Sequence, residues 1–301
     1  MSIDSRWERA RRALGWPGLF LIVLTMAAAI TPLLVSEDAR SIGSVMRTRL
    51  VPPFSRDAYG AWHLLGTDAF GRDLTVRLLM GARISLFVGV AGSVLSAVLG
   101  IALGALAGWR GGLTNRVIVA LGDALLAVPR LVLLLVVAAL WSPGLDVVIV
   151  VLGLTGWMSV MRLVRAEVQG VRLRPYVEGA TALGVPSGRV LRRHVLPNAL
   201  GSALVATTLG VANAIVMESG LSFLGLGVQP PTASWGNMIA GGREWLLVAP
   251  WIALMPGVAL VVTVVCVTIV GERLTGTPAS PTRARRVSPA SSAQPAALPR
   301  S

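Results

Sequence analysis

Apolar residues run along this chain in long blocks, separated by short clusters of charged, glycine and proline residues. Each block is about 20 residues long, the length of helix that crosses ~30 Å of hydrocarbon. The pattern predicts an all-α integral membrane protein with six transmembrane helices, at about 17–35, 84–108, 116–140, 145–164, 198–217 and 248–270. Between them lie a basic N-terminal segment (1–16), a long polar loop (36–82), a short turn, an Arg-rich loop (165–197) and a Gly/Pro-rich loop (218–247). The segment 83–271 forms the core domain. The tail 275–301, rich in Pro, Ala, Ser and Arg, is expected to be disordered. The first apolar run is followed by Ser36-Glu37-Asp38 instead of a small-residue cleavage site, so it reads as a retained anchor.

Composition strengthens this picture. Apolar residues make up 54% of the chain and charged residues 14%, with mean hydropathy +0.73, leaving too little polar surface for a soluble fold. The formal charge is +13, and every basic residue is Arg. These arginines gather in loops, which points to membrane lipid and not nucleic acid. Arg165, Arg172, Arg174, Arg189, Arg192 and Arg193 fall in one loop, and both terminal segments are also basic. In the 36–82 loop, Glu37, Asp38, Asp57, Asp68 and Asp73 offset most of the arginines. The positive-inside rule therefore predicts cytoplasmic termini, a cytoplasmic 165–197 loop and an external 36–82 loop.

Little in the chain suggests catalysis. The single Cys266 sits in an apolar run, and His63 and His194 are the only histidines, so no metal site of the usual kinds and no cofactor is expected. Ser222 has no nearby general base in sequence. Lys is absent, which excludes a glycine-rich phosphate loop ending in Lys.

Other residues stand out by their setting. Gly92, Ser96, Gly100, Gly104 and Gly108 recur every fourth residue and form a smooth ridge for close helix packing. Asp123 and Arg130 are charges in or near the third span, about 10 Å apart along a helix and too far for a direct pair. Pro129 should kink that helix. Glu218 is expected to pair with Arg243 or to cap an outer gate. Trp235 and Asn237 lie in a loop that either docks a partner or shields a pathway.

The 165–197 loop carries the strongest pattern. Pro175 suits a first helical position, Glu178 favours the first turn, and Gly184 and Pro186 should end that helix. A second helix should start near Ser187, present Val190, Leu191, His194 and Val195 on one face, and stop at Pro197. Two such short helices should not bury themselves alone and should seek a groove on another protein.

These residues resemble the EAA signature of ABC importer permease subunits, which reads Glu-Ala-Ala, three residues, Gly, nine residues, then Ile-x-Leu-Pro. Glu178, Ala180, Gly184, Leu196 and Pro197 match at that spacing. Gly179 replaces the first Ala and His194 stands in the Ile position, the latter as in the dipeptide, oligopeptide and nickel branch. Leu65-Gly66-Thr67-Asp68, Asp123-Ala124-Leu125-Leu126-Ala127-Val128-Pro129 and Glu218-Ser219-Gly220-Leu221-Ser222-Phe223 are similar to the second, C-type permease of that branch. The resemblance implies a type-1 importer fold, with 175–197 as the helix that couples to an ATP-hydrolysing partner. It also implies two ATPase subunits, a sister permease forming a heterodimer, an extracytoplasmic solute-binding protein and a bacterial inner-membrane location. The subunit itself would hydrolyse nothing and would supply half of a pathway for peptides or a similar small solute. The alternative is a self-sufficient secondary transporter or channel. That would need ion-coupling carboxylates at mid-membrane, for which Asp123 is the sole candidate.

Overall fold

The computed structural model describes residues 3–34, 45–140 and 144–275. The predicted disordered tail beyond Thr275, and the loop residues 35–44, lie outside the described residues. Long helices dominate: α1 (Ile3–Leu34), α3 (Leu74–Arg110), α6 (Leu145–Arg172), α9 (Leu196–Phe223) and α11 (Trp251–Thr275), with α2 (Val45–Thr48) preceding α3. Five helices are long and apolar enough to cross a membrane. A sixth span is available if the bent pair α4 (Gly112–Leu126) and α5 (Arg130–Leu140) counts as one.

That pair replaces the single helix expected over 116–140. The two halves meet at 85°. Pro129 supplies no N–H to the ladder and its ring crowds the preceding turn. The ladder stops at Ala127, whose N–H donates to the Asp123 carbonyl, and restarts when Leu133 N–H donates to the Pro129 carbonyl.

Helix α3 also differs from expectation, because it starts at Leu74 and not near Ile84. Asp73 caps it, accepting the N–H groups of Thr75 (2.8 Å) and Val76 (3.1 Å). The apolar window begins later because this first part of the helix carries Arg77 and Arg83. Ahead of it, the segment from Val45 packs at the start of α3, with a small antiparallel pair of β1 (Ser55–Arg56) and β2 (Trp62–His63).

Helix α3 packs along α6, and α9 lies against both. The Gly ridge sits in this seam. A methyl group added at Gly100 would lie 2.6 Å from Val160 Cβ, at Gly104 2.7 Å from the Met161 carbonyl, and at Gly108 2.9 Å from the Arg165 carbonyl. Gly92 faces Leu152, and the Ser96 hydroxyl donates to the Leu152 (3.1 Å) and Gly153 (3.2 Å) carbonyls. The small side chains let two backbones approach, and van der Waals packing holds them where lipid provides no hydrophobic drive between helices. Helices α1 and α11 flank this centre.

Candidate partner-docking site

Two short helices, α7 (Pro175–Ala182) and α8 (Ser187–Val190), join α6 to α9 at one end of the bundle. Pro175 opens α7, and Glu178 lies in its first turn. The helix ends in a Schellman motif: Gly184 N–H donates to the Thr181 carbonyl (3.0 Å) and Val185 N–H to the Ala180 carbonyl (3.2 Å). Gly184 holds φ +77°, the left-handed conformation that this motif requires and that a side chain disfavours.

The chain does not stop at Pro197, as the sequence suggests. Leu191–Val195 form a wide π turn that runs directly into α9. The Leu196 N–H reaches back to the Leu191 carbonyl, so the missing Pro197 donor falls at the new helix's first turn, where it costs little. The Asn198 side-chain amide covers the His194 carbonyl at 2.6 Å. The structure also corrects the expectation that the apolar face needs a partner. Val177, Val190 and Val195 are wholly buried in this chain's own core with Val164, Val168 and Ala199. That core covers the apolar face and fixes the loop rigidly to α6 and α9.

The outward face is what remains open. Glu178, Gly179 and Ala182 are exposed, and Leu183 and Leu173 stand 86% and 74% exposed. Ala180 is half-buried, as are His194 and Leu196, whereas Gly184 and Pro197 are exposed. A cleft of about 880 Å³ lies between this loop and the end of α3, lined by Trp109, Arg172, Val177, Glu178, Thr181 and Leu191 among others. Arg172 braces its wall, donating to the Trp109 carbonyl (3.0 Å) with its guanidinium over the indole ring. The arrangement is a platform anchored to the core, with an open rim of exposed leucines, Glu178 and several arginines, a surface suited to a protein groove.

The opposite end of the bundle is closed by internal bonds. Glu218 is wholly buried and does not pair with Arg243, which is exposed. Its carboxylate accepts instead from the hydroxyls of Ser222 (2.7 Å), Ser85 (2.9 Å) and Ser219 (3.3 Å). Hydroxyls from α3 and α9 reach the carboxylate inside the packed core, and an exposed arginine cannot. Ser85 Oγ in turn accepts the Trp235 N–H.

The Trp235–Asn237 loop is itself helical: α10 (Trp235–Gly242) starts with a capping box between Ser234 and Asn237. The Trp235 indole is buried and donates to the Leu78 carbonyl (3.1 Å), while the Asn237 amide donates to the Val228 and Thr232 carbonyls. Both residues hold this end of the bundle together. Below α2, Asp68 accepts from Arg72 Nε (2.7 Å), and His63 bridges Asp73 (2.6 Å) and Asp57 (3.4 Å). Burial alone would push the Asp57 carboxyl up, but the N–H groups of Tyr59 and Ala61, together with His63, hold it below the ordinary carboxylate value.

At mid-bundle, Asp123 pairs with Arg162 of α6 across the α4–α6 contact. Arg130 sits just beyond the exposed Pro129, at the bend. It reaches Asn213 Oδ1 (2.7 Å), the Thr155 hydroxyl (3.3 Å) and the Leu152 carbonyl (3.3 Å). Sequence patterns do not single out Arg162 and Asn213 as partners. An Arg inside the fourth apolar block is the available signal for the first; nothing local marks Asn213.

Residues 100–275 match the model of the family described as "Binding-protein-dependent transport system inner membrane component". The chain is 38% identical over 257 residues to the oligopeptide transport system permease protein OppC of Bacillus subtilis (strain 168), covering 85% of this chain and 82% of that protein. It is 36% identical over 270 residues to the dipeptide transport system permease protein DppC of the same organism, covering 89% and 82%. Among solved structures, it resembles the inward-facing MetNI methionine ABC transporter, with TM-score 0.55, 19% identity and coverage of 67% of this chain and 95% of that one. An amino acid ABC transporter with histidines gives TM-score 0.54 at 14% identity, covering 67% and 94%.

Proposed function

This chain belongs to the binding-protein-dependent transport system inner membrane components, and from that premise we propose that it takes up peptides through an ATP-driven complex that docks on its 175–197 loop. It is a multi-pass membrane permease subunit and not an enzyme. Membership in a binding-protein-dependent system displaces the self-sufficient transporter alternative.

In this reading a solute-binding protein delivers the peptide at the outer end. Two ATPase subunits act from the cytoplasm, and a sister permease completes the pathway as a heterodimer in a bacterial inner membrane. The N-terminus, the C-terminus and the 165–197 loop face the cytoplasm, in keeping with their arginines. Peptide as the solute is supported by the names of the relatives, which are oligopeptide and dipeptide permeases. The single observation that carries the docking role is the 175–197 platform: its apolar side is fixed to the core while Glu178, Leu183 and the adjoining cleft stay open. A rigid mount matters, because motion of a docked ATPase must be passed to α6 and α9 without loss.

Co-expression with the ATPase and sister-permease subunits tests this. Wild type should co-purify with both. The combined Glu178→Arg and Gly184→Pro variant should lose the ATPases and keep the sister permease. Wild type that is stable alone, recruits no ATPase and still moves solute in vesicles would refute the reading.

A further inference from the structure

Beside the α4–α5 bend lies a cavity of about 340 Å³ with mixed polar and apolar walls, at the level where α3, α6 and α9 are halfway along their length. Arg130, Ser93, Ser96, Ser159 and Asn213 line it. A guanidinium at this depth is costly and pairs with a carboxylate or with backbone carbonyls. Arg162 takes a carboxylate, that of Asp123. Arg130 meets none: its partners among the described residues, Asn213, Thr155 and the Leu152 carbonyl, are all neutral.

The donor count gives the chemistry. An Arg side chain carries five N–H donors. Three point at Asn213, Thr155 and Leu152, which leaves two. Ser159, exposed on the cavity wall, adds a hydroxyl with no partner among the described residues. Ser93 and Ser96 already donate, to the carbonyls of Thr207 and of Leu152 and Gly153. The free groups are therefore donors around one positive charge, the complement of an acceptor-only anion such as a carboxylate. No acid among the residues lining the cavity competes for the site, and Asn213 and Thr155 fix the guanidinium from its other side.

We propose that Arg130, helped by Ser159, is a way-station for the carboxylate of the passing solute, which for a peptide is its free C-terminus. This rests on the peptide-permease reading above. The carboxylate replaces the missing counter-ion while the peptide is in the membrane. Neutral Asn213 keeps the contact weak enough to release, where an Asp at that position would occupy Arg130 permanently.

The test uses the full complex with its binding protein in proteoliposomes, comparing ATP-driven uptake of trialanine and of its C-terminal amide at saturating binding protein. The binding protein is the same for every variant, so a change in the acid-to-amide ratio belongs to the permease. Arg130→Gln should lower that ratio about tenfold or more, the worth of hydrogen bonds to a charged group. Arg130→Lys should retain part of it. Asn213→Asp should lower the ratio as Arg130→Gln does while keeping the arginine, and it decides the matter if Arg130→Gln fails to assemble. Ser159→Ala should cause a smaller fall in the same direction. An unchanged ratio in Arg130→Gln and Asn213→Asp, or an equal loss of both peptides, would overturn the proposal and leave the permease reading standing. A wild-type complex that takes up neither peptide would overturn the permease reading, and this proposal with it.

Discussion

The two ends of the bundle solve opposite problems. At the end where α3 begins, Glu218, Trp235, Asn237, Asp68 and His63 all find partners within the chain, and α10 packs on α3 and α9. At the other end, the buried valines anchor the loop, while Glu178 and Leu183 face outward and stay exposed. Polar groups are satisfied internally at the first end, and the groups left open at the second are those that the proposed ATPase would cover. The seam between α3 and α6 links these ends.

Breaking that seam gives the largest expected effect. Gly100→Leu places a side chain against Val160 and the Trp157 carbonyl, where even a methyl group would approach within 2.6 Å and 2.8 Å. Overpacking there should cost ~3 kcal/mol or more, read as a fall in thermal unfolding temperature in detergent. Gly170→Ala, with open space around it in α6, should not lower that temperature but raise it slightly through the better helix propensity of Ala, and serves as the control.

Next comes the Glu218 cluster. Glu218→Ala leaves the Ser85, Ser219 and Ser222 hydroxyls without their shared acceptor. It should cost about 2 kcal/mol in the same assay and leave ATPase recruitment intact, which separates the two ends. A smaller change should sharpen the loop end: Gly184→Ala strains a φ of +77° and should cost about 1 kcal/mol locally. Its effect should appear as weaker ATPase capture with little change in overall unfolding temperature. A result in the reverse order would mean that the loop supports the whole bundle.

The smallest effect is electrostatic. The Asp57 carboxyl is held below its ordinary value of 3.8. A depressed carboxylate contributes stability that is fully present above its unfolded pKa and is lost as pH falls through the folded one. Acid titration of the β1–β2 hairpin, followed by Trp62 fluorescence, should therefore show loosening below pH 3.8, and Asp57→Asn should remove that dependence.

The apolar blocks of this chain are readable as spans because the bilayer demands length and composition above all else. Helix ends are less readable, because hydropathy marks where lipid ends and not where hydrogen bonding ends. Helix α3 therefore begins at Leu74, among charged residues, and α6 runs on through Arg172. The severity of the Pro129 break is hidden too, since a kink and an 85° turn share the same proline.

The 175–197 pattern stands out because its spacing is local. The Glu218 cluster and the Arg130 cavity do not, because their partners are far apart in the chain. Ser85 lies 133 residues from Glu218, and Asn213 lies 83 from Arg130. A serine or asparagine inside an apolar run carries no mark of the charge that it will face. The expected Glu218–Arg243 pair fails for the same reason, since nearness in sequence outweighs three small hydroxyls contributed by two helices.

The most direct measurement is site-specific crosslinking from Leu183, the most exposed apolar residue of the proposed platform. A Leu183→Cys variant in the assembled complex should crosslink to an ATPase subunit, with a yield that changes when ATP is added. Phe54→Cys, also exposed but at the other end, should not crosslink to it. An ATPase crosslink from Phe54 and none from Leu183 would contradict the assignment of the 175–197 loop as the coupling site.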